Sequence, residues 1–200
     1  MTVNPSTVNL FNHALALIGG EQLSTVESTW EDSVVGTLCV NNFPRVLDQA
    51  LEAHPWSFAR DREDLAEKPN PRPRRGYQHR YALPSACIRP IELTSGRPFV
   101  LEGGHLLTDD ALAELSFIRR VEDPRLWPQS FQTALAWGLA AILATARLND
   151  PQKQLNYIQH YHLALNEAMA RDNDMQQPVD EPTDWELNRM GGRSGQWPRR

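Results

Sequence analysis

Residues 99–108 read Phe99-Val100-Leu101-Glu102-Gly103-Gly104-His105-Leu106-Leu107-Thr108, two short apolar runs around a glycine pair. Glycine reaches positive φ without a Cβ clash, so the pair suits a tight turn and the runs suit a β-hairpin. A period of two continues outward from it. Tyr77, His79, Tyr81 and Leu83 alternate with Gln78, Arg80 and Ala82, the pattern of a half-buried strand. Ile88 to Leu93 gives a second strand, which Pro90 confines to an edge or a bulge. Leu115, Phe117 and Val121 make the last one.

Both flanks of this region switch to helical spacing. Val8, Phe11, Leu15 and Ile18 form a stripe that Ser6 can cap and Gly19-Gly20 can stop. A second helix is expected from the capping box Ser28-Thr29-Trp30-Glu31 to His54-Pro55-Trp56, with Pro44 kinking or splitting it. After Asp123-Pro124 helix resumes, and Pro128 suits a first helical position. Phe131, Leu135, Leu139, Ile142 and Ala146 stripe a helix that small residues make apolar all round, so it is expected at the centre, closely approached by neighbours. Asn149-Asp150-Pro151 turns the chain into a final helix bearing Leu155, Ile158, Tyr161, Leu165 and Met169.

Two segments carry no such period. Pro69-Asn70-Pro71-Arg72-Pro73-Arg74-Arg75 reads as an extended connector, since alternating prolines forbid helix and interior strand. From Asp172 the chain turns polar, and it reads as an extended tail, either disordered or ordered by a partner. The expected fold is therefore α+β, mainly α: a four-helix bundle interrupted by a small antiparallel β module. Its parts are residues 1–60 and 122–171 for the bundle, 61–76 for the connector, 77–121 for the module and 172–200 for the tail.

The composition narrows function. A chain of 200 residues with formal net charge −5 does not suit a general nucleic-acid binder, which needs cations to displace the counterions on phosphate. Of 20 basic residues only Lys68 and Lys153 are lysine, a bias toward the planar contacts of arginine. Two cysteines, Cys39 and Cys87, exclude a disulfide scaffold and read as packed thiols. The N-terminus has no charged start of a secretory signal, and the apolar run Ala134 to Ala146 falls short of the ~20 residues a membrane span needs, so a soluble protein of the reducing cytoplasm is expected.

His160 and His162 are two apart rather than four, so they diverge on a helix and read as surface or interface residues rather than metal ligands. No nucleophile elbow, phosphate loop or dinucleotide fingerprint occurs, and neither an enzyme nor a cofactor is expected. Arg72, Arg74, Arg75 and Arg80 with Tyr77 and Tyr81 form the one patch of nucleic-acid character; the favoured alternative is an exposed connector whose arginines pair with acidic neighbours or another subunit. In the tail, Trp185, Arg189, Trp197 and Arg199 are residue types that anchor interfaces.

Several blocks, in order, resemble a known family. Asn12-His13-Ala14-Leu15-Ala16-Leu17-Ile18-Gly19 is similar to the opening helix of the tail tubular protein A family, the head-to-tail adaptors of short-tailed bacteriophages. Leu51-Glu52-Ala53-His54-Pro55-Trp56-Ser57-Phe58-Ala59 resembles its most characteristic stretch. Tyr81-Ala82-Leu83-Pro84, Cys87-Ile88-Arg89, Glu102 to Thr108, Val121-Glu122-Asp123-Pro124 and the helix Phe131 to Ala146 follow in the family's order.

The resemblance spans roughly residues 8 to 170 and implies a non-enzymatic virion protein of the head–tail junction, made in the host cytoplasm. It implies a ring of twelve subunits between the portal protein and the tail nozzle protein, through which DNA passes without specific binding. On that footing Trp185, Arg189, Trp197 and Arg199 would grip the portal, and Arg72, Arg74, Arg75 and Arg80 would serve a subunit or tail interface. A small nucleic-acid-binding protein and a head completion protein of a long-tailed phage are the alternatives.

Overall fold

A computed structural model of the protein describes residues 5–23, 33–147 and 151–175. Four helices occur among them: α1 (Pro5–Leu17), α2 (Val34–Ala53), α3 (Gln129–Arg147) and α4 (Pro151–Met175). Between α2 and α3 run seven strands: β1 (Arg60–Asp64), β2 (Glu67–Lys68), β3 (His79–Ala82), β4 (Cys87–Leu93), β5 (Phe99–Glu102), β6 (His105–Thr108) and β7 (Glu114–Arg119). About half of the described residues are helical, so the mixed helix-and-sheet class holds.

The β region is larger than one small module. It forms two antiparallel sheets, ordered β1-β7-β4 and β2-β3-β6-β5. The expected connector accordingly shrinks, because residues 60–64 pair with β7 and residues 67–68 pair with β3. Arg60-Asp61-Arg62-Glu63-Asp64 hides its strand character because all five side chains are exposed on a sheet edge, where charge deters unwanted pairing. β4 lies on the opposite edge and shifts register on both sides of Arg89-Pro90, in keeping with its proline. The hairpin β5–β6 turns through Gly103 and Gly104 at φ 58° and 75°, a two-residue turn with both centres left-handed.

Helix ends follow local chemistry. Gly19 at φ 69° closes α1: Gly20 N–H donates to Leu15 O at 2.8 Å and Gly19 N–H to Ala16 O at 3.1 Å, a Schellman stop. The start differs from expectation, since Pro5 begins α1 and Ser6 lies within the helix. Ser33 caps α2, while the Ser28–Glu31 box lies outside the described residues. Pro44 does not split α2, which runs unbroken for 20 residues. Asp123 Oδ1 accepts from Arg125 N–H at 3.0 Å and starts the 3-10 turn Pro124–Leu126; the Pro128 carbonyl then accepts from Gln132 N–H at 3.0 Å as α3 begins.

The helices share one core built around α3. Phe11, Phe43, Leu47, Trp56, Trp127, Phe131 and Leu135 are buried in it. Gly138 is the point of closest approach: a Cβ there would stand 2.8 Å from Val46 Cγ1 of α2 and 3.0 Å from Tyr161 Cε2 of α4. The small residues of α3 thus let two helices close on it at once, as their pattern indicates.

A second, smaller core of Tyr81, Leu93, Leu106, Ala113, Leu115 and Phe117 lies between the two sheets. Sheet β1-β7-β4 is shared by both cores, because Ile118 packs with the helices while Phe117 packs with the other sheet.

Helix α4 extends past the expected end of the fold. Asp172 to Met175 are helical, and Asp172 is buried rather than the first residue of a tail. Its carboxylate lies 3.1 Å from His54 Nε2 and accepts from Ser57 N–H at 3.1 Å and Ser57 Oγ–H at 2.5 Å. A charge buried with such partners ties the end of α4 to the turn joining α2 to β1.

Candidate functional site

Among the described residues, two gatherings of polar side chains bear on function. His54, Ser57 and Asp172 combine the residue types of a hydrolytic triad, but the geometry differs. Ser57 Oγ and His54 Nε2 both bond to the one carboxylate, whereas a nucleophile must hand its proton to the imidazole. The cluster acts as a structural fastener.

The other place is a groove of about 550 Å3 on the sheet β2-β3-β6-β5. Its wall is the loop between β2 and β3, and Asn70 shapes that loop. The Asn70 amide donates to Tyr77 O at 3.1 Å and Gln78 O at 2.9 Å, while its Oδ1 accepts from Arg72 N–H at 3.2 Å. An Asx turn and two cross-loop bonds make a folded loop of what the prolines alone suggest is an extended connector. Gly76 at φ 83° completes the bend, and the Arg74 guanidinium lies 5.0 Å over the Tyr77 ring.

Three of the four arginines singled out from the sequence meet here, since Arg72, Arg74 and Arg80 all line the groove. Arg80 donates to Pro69 O at 3.4 Å, and its Nη2 lies 3.0 Å from His105 Nδ1. Arg74 pairs with Glu102 at 3.3 Å, both well exposed, so that ion pair holds little energy. Arg75 stays exposed on the same loop without lining the groove. Pro71, Pro73, Gly103 and Leu107 supply the less polar surface.

The two tyrosines part company. Tyr77 packs beneath Arg74, but Tyr81 is buried and its hydroxyl donates to the Asp110 carbonyl at 2.7 Å. Burial, with Glu67 and Asp110 nearby, raises the Tyr81 pKa. Tyr81 belongs to the core and cannot stack a base. Asn70, Glu102 and His105 are site residues that the arginine pattern misses; only Asn70, set between prolines, carries a turn signal in the sequence.

The remaining candidates fall elsewhere. Trp185, Arg189, Trp197 and Arg199 lie outside the described residues. His160 stacks on Trp137 with ring centroids 4.5 Å apart, and His162 lies beside Tyr161. Among the described residues, no three His, Cys, Asp or Glu side chains group as metal ligands. No helix among them is long and apolar enough to cross a membrane. Cys39 is buried, which pushes its thiol up to about 12, and half-buried Cys87 is raised for the same reason.

No protein-family model matches the chain, and no curated protein matches it.

Proposed function

We propose that the protein is a structural, non-enzymatic head-to-tail adaptor of a short-tailed phage virion. It forms a ring, of twelve subunits by the family resemblance, between the portal and the tail nozzle at the head–tail junction. The observation that carries this reading is where the family-like blocks fall: they occupy the joints of the framework. Leu51 to Ala59 forms the turn from helices into sheet, where His54 and Ser57 fasten α4 and Trp56 fills the core. Glu102 to Thr108 holds the hairpin tip beside the groove, and Val121 to Pro124 leads back into α3.

A closed ring needs heterologous contacts, in which one face of a subunit meets an unlike face of the next. A helical body with an arginine-lined β body offers two such faces, and Arg72, Arg74, Arg75 and Arg80 suit the contact to a neighbour or to the nozzle. Trp185, Arg189, Trp197 and Arg199 suit a grip on the portal. A net charge of −5 suits a wall that lets DNA pass without holding it.

Electron microscopy of the protein mixed with purified portal is the direct test. Twelvefold rings on the portal are the expected result, and portals that stay bare at excess protein defeat the reading. A chain ending at Met175 keeps Asp172 and should fold yet fail to join portals. The groove also favours a second reading, a small nucleic-acid-binding protein. Burial of Tyr81 weakens it, and failure to bind short duplex DNA at low salt would remove it. A head completion protein of a long-tailed phage would share the role with different partners, and portals of the two tail types distinguish it.

A further inference from the structure

The groove gathers three arginines, Arg72, Arg74 and Arg80, against a single carboxylate. Arg72 and Arg75 have no side-chain hydrogen bond or ion pair among the described residues, and the partners of Arg80 are a carbonyl and an imidazole. Glu102, paired with Arg74, is the one carboxylate in the lining.

The complementary charge lies in this same chain. Asp180-Glu181-Pro182-Thr183-Asp184-Trp185-Glu186 holds four carboxylates, and no Lys or Arg occurs between Arg171 and Arg189. We propose that this stretch docks intramolecularly in the arginine-lined groove.

Charge, side-chain type and placement support the match. Trp185 offers a flat ring to a free guanidinium, and Pro182 favours the extended form a groove accepts. The helix end from which the stretch departs is fastened by Asp172 to Ser57, just before β1, whose chain runs on to the groove loop. From Met175 to Asp180 is five residues and to Glu186 eleven, an extended reach of about 17–37 Å. Tethering at that range supplies a local concentration of order millimolar, so exposed ion pairs that would be weak between separate molecules can hold the stretch in place.

The docking does not rest on the adaptor reading, and a portal-free experiment tests it. A labelled peptide of residues 176–190 is titrated into the full-length protein at low salt. If the groove is occupied as proposed, the native chain should bind it at least ~10-fold more weakly than the full chain carrying D180N, E181Q, D184N and E186Q. Adding R72E and R75E, whose parent side chains hold nothing in the fold, should abolish that binding while the circular dichroism spectrum stays unchanged. Equal binding by native and neutralised chains, no binding by the neutralised chain, or indifference to R72E and R75E each overturns the proposal. In a full chain carrying R72C and D184C, mild oxidation should yield a monomer with the 72–184 disulfide. A disulfide-linked dimer would overturn intramolecular docking.

Discussion

The helical body and the β body solve the burial problem differently. In the first, Phe131 lies among Trp56, Phe58 and Trp127 at ring separations of 4.8, 5.0 and 6.0 Å, within a core that draws on all four helices. In the second, six buried residues serve two sheets, and much of the remaining surface is charged. Helix α4 keeps a polar, exposed outer side, whereas the sheets present arginines at their margin. The two bodies are not independent, because Phe117 and Ile118, neighbours on β7, feed different cores. Most of the buried side chains lie in one body and the arginine-lined groove in the other, with one strand coupling them.

Substitutions test that division. The largest effect is expected from Phe131→Ala, which should cost about 3–5 kcal/mol in chemical denaturation; Leu106→Ala, in the smaller core, should cost about 2–3 kcal/mol. Both variants should melt in one transition because β7 joins the cores. A separate early transition in Leu106→Ala would show that the bodies unfold independently.

Asp172→Ala comes next. It strands the buried His54 ring and the Ser57 amide, and a loss of about 1.5–3 kcal/mol is expected. Hydrogen exchange should then speed up at the end of α4 before the rest of the fold; uniform exchange would deny the fastener its local role.

Gly138→Val should cost about 1–3 kcal/mol, since the new atoms meet stiff Val46 on one side and Tyr161 on the other. A thermal midpoint matching that of the native protein would mean that the helices separate more easily than their spacing suggests.

The smallest effect concerns the thiols. With its pKa pushed up to about 12, Cys39 should resist thiol reagents at pH 8 in the folded protein, while Cys87 reacts slowly and both react after denaturation. The unfolded chain ionises Cys39 near its ordinary pKa and the folded chain does not, so this contribution to stability is complete below pH ~8.5 and is lost as pH rises toward about 12. Fast labelling of Cys39 in the native state would contradict its burial.

Much of the fold was legible because its signals are local. The Gly103-Gly104 turn, the Schellman stop at Gly19 and the small-residue face of α3 each depend on residues within a few positions of one another. The candidate site was legible in part. The arginines stood out, but the side chains that assemble them did not: Asn70 folds the loop and His105 meets Arg80 from across the sheet. Arg60 to Asp64 could not be read as a strand, since its partner β7 lies some fifty residues on and an exposed edge needs no apolar period.

Local sequence already specifies that helices flank a β region, which turns are tight, which helix sits at the centre and where arginine concentrates. These follow from backbone preference and side-chain period, which operate over one or two turns of chain. Long-range packing alone set the division of the strands into two sheets, the inward turn of Tyr81, and the burial of Asp172 within α4 rather than at the start of a tail. Each of those outcomes rests on contacts between distant parts of the chain. A carboxylate followed by polar residues looks solvated until the fold brings His54 and Ser57 to it.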